Sequence, residues 1–168
     1  MRVSVRQAEP RDAGFVEAVL LEAAEWLADA GLPMWREDEI TAEGIAADVA
    51  RGLFFIGECD GEVAGTIRFQ LEDVRFWPDI PQQESAFIHR LAVRRRYAGS
   101  ALSSELLRWA VQRAESLGKR YLRLDCEESR PKLRAIYEDF GFRWHSNRRV
   151  GPYLVARYEY VVTDAAGR

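Results

Sequence analysis

Cysteine and histidine are scarce in this chain, with two of each in 168 residues, and that scarcity excludes several chemistries at once. Cys59 and Cys126 stand singly inside apolar runs. They supply neither a disulfide framework nor a spaced zinc motif, and each reads as a small core residue of a reducing compartment. His89 and His145 have no cluster of ligands beside them in the sequence, so no metal site is expected. The chain also lacks a strand-to-turn serine signature, a P-loop and a dinucleotide fingerprint. No apolar run approaches the roughly 18 residues of a membrane span, and MRVSVRQAEP has no hydrophobic region after its basic residue, so a cytoplasmic protein without a membrane partner is expected. A net charge of -3 argues against general nucleic-acid binding, and no reader module surrounds the basic run Arg94, Arg95 and Arg96.

What is present suits one α/β domain over 1–168, with 163–168 expected to fray. Val3 and Val5 alternate with polar residues as a short strand. Pro10 and Asp12 open a helix to about Ala30, with Phe15, Val19, Ala23, Trp26 or Leu27 and Ala30 as its inward stripe and Gly31 as its stop. A shorter helix is expected from Thr41 to Arg51. Phe54 to Cys59 and a strand from Glu62 form a hairpin around Asp60-Gly61. The stretch from Glu72 to Gln83, with Phe76, Trp77, Pro78 and Pro81, reads as a loop.

The stretch from Glu84 to Leu117 organises the rest. Phe87, Leu91 and Val93 have strand spacing, whereas Leu102, Leu106, Trp109 or Ala110, Ala114 and Leu117 have helical spacing. Between them, Ala98, Gly99, Ser100 and Ala101 are small enough for a ligand to approach free N–H groups at the positive end of a helix. Taken alone, these residues describe an anion- or nucleotide-binding site. After Gly118, the strand YLRLDCEE completes a β-α-β unit whose two strands are parallel. Ser129 and Pro131 open another helix, with Leu133, Ile136, Tyr137 and Phe140 inward and Gly141 at its end. Strands from Phe142 to Arg149 and from Tyr153 to Val162 close the chain.

Two blocks, the strand and helix of 84–117 and the segment LRLDCEESRPKLRAIYEDFGFR, resemble the GNAT superfamily of acyl-CoA-dependent N-acyltransferases. The resemblance implies a mixed, mostly antiparallel central sheet with a splayed parallel strand pair and flanking helices. In it, Leu91 and Val93 match the leucine-x-valine signature, and Leu106 and Leu107 match the paired apolar residues of the following helix. Those anchors put the small positions at Ala101 and Ser103 and the arginine or glutamine position at Ala98. A literal pattern search finds Arg96, Gly99 and Ala101 instead. Either register implies that acetyl-CoA, the acyl-donor cosubstrate, is held by Leu91, Ala92, Val93, Arg94, Arg95, Arg96, Ala98, Gly99, Ser100, Ala101 and Ser103, mainly through backbone N–H groups.

In the second block, Leu133, Tyr137 and Gly141-Phe142 match the family spacing, and Arg130 replaces its usual asparagine. The resemblance makes Tyr137 the general acid that protonates the departing sulfur, a task suited to a neutral phenol. An amine would attack the thioester directly, with an N–H near Leu91 or Ala92 polarising the carbonyl. Glu84 and His89 are the two candidates for the base. Trp35, Glu37, Asp38, Trp77, Asp125, Glu127 and Tyr153 are candidates for binding a small cationic amine or a peptide amine. The expected protein is an N-acetyltransferase, monomeric or homodimeric; the alternative is a noncatalytic acyl-CoA-binding or protein-interaction module on the same fold.

Overall fold

A computed structural model describes residues 1–33, 35 and 39–162. Seven strands form one mixed sheet in the order β1-β2-β3-β4-β5-β7-β6, where β1 is Val3–Gln7, β2 Phe54–Cys59, β3 Glu62–Gln70, β4 Ser85–Val93, β5 Tyr121–Glu127, β6 Arg143–Val150 and β7 Tyr153–Val161. The helices are α1 (Ala13–Asp29), α2 (Ala42–Ala50), α3 (Leu102–Ser116) and α4 (Pro131–Phe140). The neighbours β4 and β5 are parallel, paired at Ser85 with Tyr121, Ala86 with Leu122 and Phe87 with Arg123. That ladder stops well short of the ends of both strands, so the backbone beyond it is free of this pairing. The mixed sheet with one parallel pair is the expected fold class.

By contacts the chain divides into two compact units, 1–69 with 90–107 and 70–89 with 108–168. In the first unit β2 pairs antiparallel with both β1 and β3, and the hairpin turns at Asp60 and Gly61. Pro10–Asp12 forms a 3-10 turn ahead of α1, and the Thr41 hydroxyl caps α2 by accepting from the Gly44 N–H at 3.0 Å. The inward stripe of α1 is Val16, Val19, Leu20 and Ala23. Phe15 and Ala30, expected inward, are exposed, and of the alternatives Trp26 and Leu27 the first is exposed and the second half-buried. Val19 and Ala23 are inward as expected, and Val16 and Leu20 complete the stripe, which is turned by about one residue. Gly57 lets the next layer approach: a Cβ there would stand 2.9 Å from a Leu106 methyl.

In the second unit β5 pairs with β7 and β7 with β6, both antiparallel. Ala110 and Ala114 of α3 and Leu122, Leu124 and Cys126 of β5 are buried, while Leu117 and Ile136 are exposed rather than inward. Arg130, not Ser129, is the N-cap of α4, and it makes no side-chain cap bond. Pro131 in the first turn starts that helix instead, since its fixed φ suits the position and its missing N–H would have no partner there. The stretch 72–83 is a loop, but a built one. Asp73 accepts from the Phe76 N–H at 3.0 Å, and its own N–H donates to Gln82 Oε1 at 2.7 Å. Gln82 Nε2 in turn donates to the Trp77 carbonyl at 2.7 Å. Asp79 takes two bonds from the buried Arg157 guanidinium, at 2.7 and 3.0 Å, which holds its carboxyl far below the ordinary carboxylate range. Among the described residues no helix is long and apolar enough to cross a membrane.

Candidate active site

The first unit carries the turn that the sequence marks for an anion. Arg95–Tyr97 forms a 3-10 turn after β4, and α3 begins at Leu102. Ala98, Gly99, Ser100 and Ala101 thus precede the helix rather than opening it. Gly99 has φ +78, a left-handed conformation that glycine adopts without the Cβ penalty. The Ser100 hydroxyl donates to the Tyr97 carbonyl and receives the Leu102 N–H. Helix geometry leaves the N–H groups of Ser103 and Ser104 without intrahelical partners.

The three arginines before this turn are engaged within the same unit. Arg94 donates through Nε to the Val63 carbonyl at 3.0 Å and through Nη1 to Glu22 at 3.1 Å. The Arg95 N–H also meets Glu22, at 3.2 Å, while the Arg95 guanidinium lies 5.8 Å from the Trp26 ring centre. Arg96 pairs with Glu62. Arg94 and Arg96 are thus held by carboxylates and Arg95 by a ring, while within the turn the N–H groups of Ala98 and Ser100 are bonded to the Arg95 and Tyr97 carbonyls.

Strand β4 is interrupted at Arg90, which has φ +53. A non-glycine residue in this conformation costs about 1–2 kcal/mol, and such an irregularity re-aims the groups that follow it. Ala92 is buried, and Leu91 and Val93 are half-buried. Gly65 lies close beneath this segment, since a Cβ there would meet the Ala92 carbonyl oxygen at 2.9 Å. Nothing local in the sequence marks Arg90, because no glycine or asparagine signals the turn in the backbone. Its guanidinium stands 5.2 Å from the Trp35 ring centre, so this half-buried tryptophan already has a cation over its face. Glu37 and Asp38 lie outside the described residues.

The second unit holds the titratable cluster. His89 Nε2 is 2.7 Å from Asp73 Oδ2, and Nδ1 is 3.8 Å from Asp125 Oδ2. The Phe76 ring lies 5.6 Å from the imidazole. Asp125 Oδ2 is buried with no hydrogen-bond partner. The Asp125 carboxyl is raised to about 6: burial drives the rise against the opposing charge of His89, the Asp73 charge adds to it, and Arg157 and Arg75 oppose it. Asp73 is invisible as a site residue in the sequence because it belongs to a loop sixteen positions before His89, and only the bonds of that loop deliver it.

Tyr137 lies on α4, 8% exposed, with the rings of Phe142 and Tyr158 at 6.0 and 6.4 Å. Burial first, then the nearby Cys126 and Asp125, push its phenol above the ordinary tyrosine range, so it remains protonated at neutral pH. The other candidates separate. Glu84 is exposed in a 3-10 turn before β4; five residues of extended chain, about 16 Å, lie between it and His89. Glu127 pairs with Arg130 at 3.2 Å. Trp77, expected at a rim, is fully buried, its ring 4.5 Å from the Arg157 guanidinium and 6.4 Å from Phe87; it is packing, because the built loop folds it inward. Tyr153 is half-buried at the start of β7.

A family model described as the acetyltransferase (GNAT) family matches residues 14–142. An uncharacterised N-acetyltransferase of Bacillus subtilis, YesJ, is 30% identical over 164 residues, covering 93% of this chain and 81% of that protein. Among solved structures, a GNAT-family acetyltransferase of Listeria monocytogenes aligns with a TM-score of 0.79 at 23% identity, over 94% of each chain. The YncA protein of Salmonella typhimurium, solved with its cofactor acetyl-CoA, aligns with a TM-score of 0.72 at 16% identity, over 98% of this chain and 96% of that one. The parallel β4–β5 pair, the turn before α3 and the spacing around Tyr137 thus sit in a sequence that is matched over most of its length, and the chain belongs to the GNAT acetyltransferase family.

Proposed function

We propose that the chain transfers the acetyl group of acetyl-CoA to a primary amine, a small cationic one, by direct attack, with Tyr137 as general acid and His89 as base. The observation that carries this reading is the imidazole of His89 between two carboxylates, 2.7 Å from Asp73 and 3.8 Å from Asp125. A cationic amine must lose a proton before its nitrogen can attack, and an imidazole nitrogen can take it. Glu84 is the weaker choice, being exposed at the far end of the strand.

His89 takes one proton from the ammonium, and the freed lone pair forms the C–N bond at the thioester carbonyl. An N–H near Leu91 or Ala92 bonds to the oxygen as negative charge builds on it. The C–S bond then breaks and its electron pair leaves with sulfur, to which Tyr137 gives its phenolic proton. The remaining surplus proton on nitrogen restores Tyr137 by way of solvent. A raised phenol affinity makes Tyr137 a weak acid, so its first role is to donate a hydrogen bond to sulfur, with full transfer following as the bond to carbon fails. Backbone N–H groups over Ala98 to Ser103, other than those of Ala98, Ser100 and Leu102, which are bonded within the turn, hold the pyrophosphate of the coenzyme at the start of α3.

Purified protein incubated with acetyl-CoA and a panel of primary amines should release free CoA well above spontaneous hydrolysis. Tight CoA binding with no turnover on any amine would replace this reading with that of a noncatalytic acyl-CoA-binding module.

A further inference from the structure

Arg157 reaches from β7 into the loop 72–83, with its side chain only 3% exposed. Nη1 donates to the Phe76 carbonyl at 3.0 Å and to Asp79 Oδ1 at 2.7 Å, Nη2 donates to Asp79 Oδ2 at 3.0 Å, and Nε donates to the Ser146 hydroxyl oxygen at 2.9 Å. The guanidinium also lies 4.5 Å from the centre of the buried Trp77 ring. A buried ion pair is a poor source of stability, since apolar residues of similar volume often serve a core as well. What a guanidinium adds is a planar fork with donors in fixed directions, which a lysine cannot copy.

That fork leads to the imidazole through one residue. The Phe76 carbonyl receives Arg157, the Phe76 N–H donates to Asp73 Oδ1 at 3.0 Å, and the Phe76 ring lies 5.6 Å from His89. With Oδ1 so occupied, Asp73 presents Oδ2 to His89 Nε2 at 2.7 Å. The Asp73 backbone is fixed as well, its N–H by Gln82 Oε1 and its carbonyl by the Trp77 N–H. An ionised carboxylate oxygen only accepts, so the hydrogen between Asp73 and His89 belongs to Nε2. Asp125 stands 3.8 Å from Nδ1, too far for a hydrogen bond, so the ring is oriented from the Asp73 side. A continuous line of bonds thus runs from Asp79 through Arg157, Phe76 and Asp73 to His89, all within the second unit.

We infer that Arg157 is a positioning residue for His89: by gripping the loop at Phe76 and Asp79, it holds Asp73 where its carboxylate keeps the ring in one orientation and in the Nε2–H tautomer. The inference rests on the reading of His89 as the base and deepens it, because it names a residue outside the reacting groups that fixes the base. Arg157 touches neither His89 nor any reacting atom in this scheme and acts only through the loop. Once the grip is lost, the ring is free to exchange tautomers and to turn, and either change lowers the share of molecules whose lone pair is placed to take a proton.

Asp79 offers the gentler way to weaken the grip, since its side chain is 45% exposed. Asp79→Ala should lower kcat for amine acetylation about 10- to 100-fold while the amine and acetyl-CoA KM values stay unchanged. Asp79→Asn, which keeps one accepting oxygen, should recover part of that loss. Arg157→Lys keeps the charge without the fork and should resemble Asp79→Ala. Side-chain nitrogen NMR reads the same effect without turnover. The His89 signals, identified by their disappearance in His89→Gln, should show the proton on Nε2 in the wild type and a mixture of tautomers in Asp79→Ala. If Asp79→Ala and Arg157→Lys lose thermal stability but keep the wild-type kcat and His89 tautomer, Arg157 only supports the fold and the inference is overturned. A proton on Nδ1 in the wild type would overturn it as well. Absence of turnover on every amine would remove the base reading, and the tautomer in Asp79→Ala would still decide whether Arg157 holds the ring.

Discussion

Each of the two units buries an aspartate, and the two are treated in opposite ways. Asp12, in the first unit, accepts two bonds from the Arg6 guanidinium at 2.7 and 3.0 Å and a third from the Glu9 N–H at 2.8 Å. Those bonds hold its carboxyl down to about 2. Asp125, in the second unit, has one oxygen with no donor, and burial lifts it to about 6. The first carboxylate is spent on joining β1 to the start of α1. The second is perturbed by desolvation with no donor on one oxygen, the kind of perturbation that marks a candidate functional group.

The same contrast separates the two halves of the chemistry. The Arg94 and Arg96 side chains are matched to Glu22 and Glu62, so the proposed function assigns the coenzyme to peptide groups there. It assigns the reactive protons to the side chains of His89 and Tyr137. Substitutions should therefore affect chemistry in one unit and binding or stability in the other.

Tyr137→Phe probes the contrast with the largest expected effect: transfer should fall about 100- to 10,000-fold with acetyl-CoA affinity nearly unchanged, measured by CoA release and by equilibrium binding. Unchanged transfer would take the general-acid role from Tyr137. Next come the two aspartates, compared by denaturant unfolding across pH. The Asp125 carboxyl is raised in the folded state, so its contribution is fully present below pH 3.8 and is lost as pH rises through about 6. Asp125→Asn should thus gain on the wild type by about 3 kcal/mol between those limits. The Asp12 carboxyl is depressed, so its contribution is present above pH 3.8 and lost as pH falls through about 2. Asp12→Asn should be less stable by about 2 kcal/mol at neutral pH, with the gap closing in acid. Equal trends in the two variants would erase the distinction between them.

A smaller effect is expected at the turn. Gly99→Ala places a Cβ at φ +78 and should cost about 1 kcal/mol of stability, along with a several-fold loss of acetyl-CoA affinity by calorimetry. Smallest of all, Arg96→Ala should change the acetyl-CoA KM no more than a few-fold, and added salt should remove the difference, since the side chain is exposed and already paired. A large, salt-resistant loss in Arg96→Ala would mean that the arginines, not the backbone, hold the phosphates.

Most elements were legible because their signals are local. The hairpin at Asp60-Gly61, the helix start at Thr41, the stop at Gly141 and the alternation of Leu122, Leu124 and Cys126 depend on neighbours a few residues away. Facing was less legible. Phe15, Trp26, Leu117 and Ile136 have the right spacing but are exposed, since periodicity names a stripe to within about one position and the shape of the facing sheet selects among them. In the candidate site, His89, Asp125 and Tyr137 could be named from residue type and spacing. Asp73 could not, and Trp77 was given a rim position that its complete burial excludes, because both depend on how 72–83 closes on itself through Gln82, Asp79 and Arg157.

By itself, then, the sequence determined the order of strands and helices, the left-handed turn that requires Gly99 and the family spacing around Tyr137. All of these follow from short-range sterics and hydrophobic period. Only the tertiary structure decided that Asp73 bonds Nε2 of His89, that Asp125 is buried with an empty acceptor and that Arg94 and Arg96 are ion-paired while the Arg95 guanidinium lies over Trp26. Those facts are set by desolvation and by contacts between residues distant in the chain, and neither quantity is carried by any local run of amino acids.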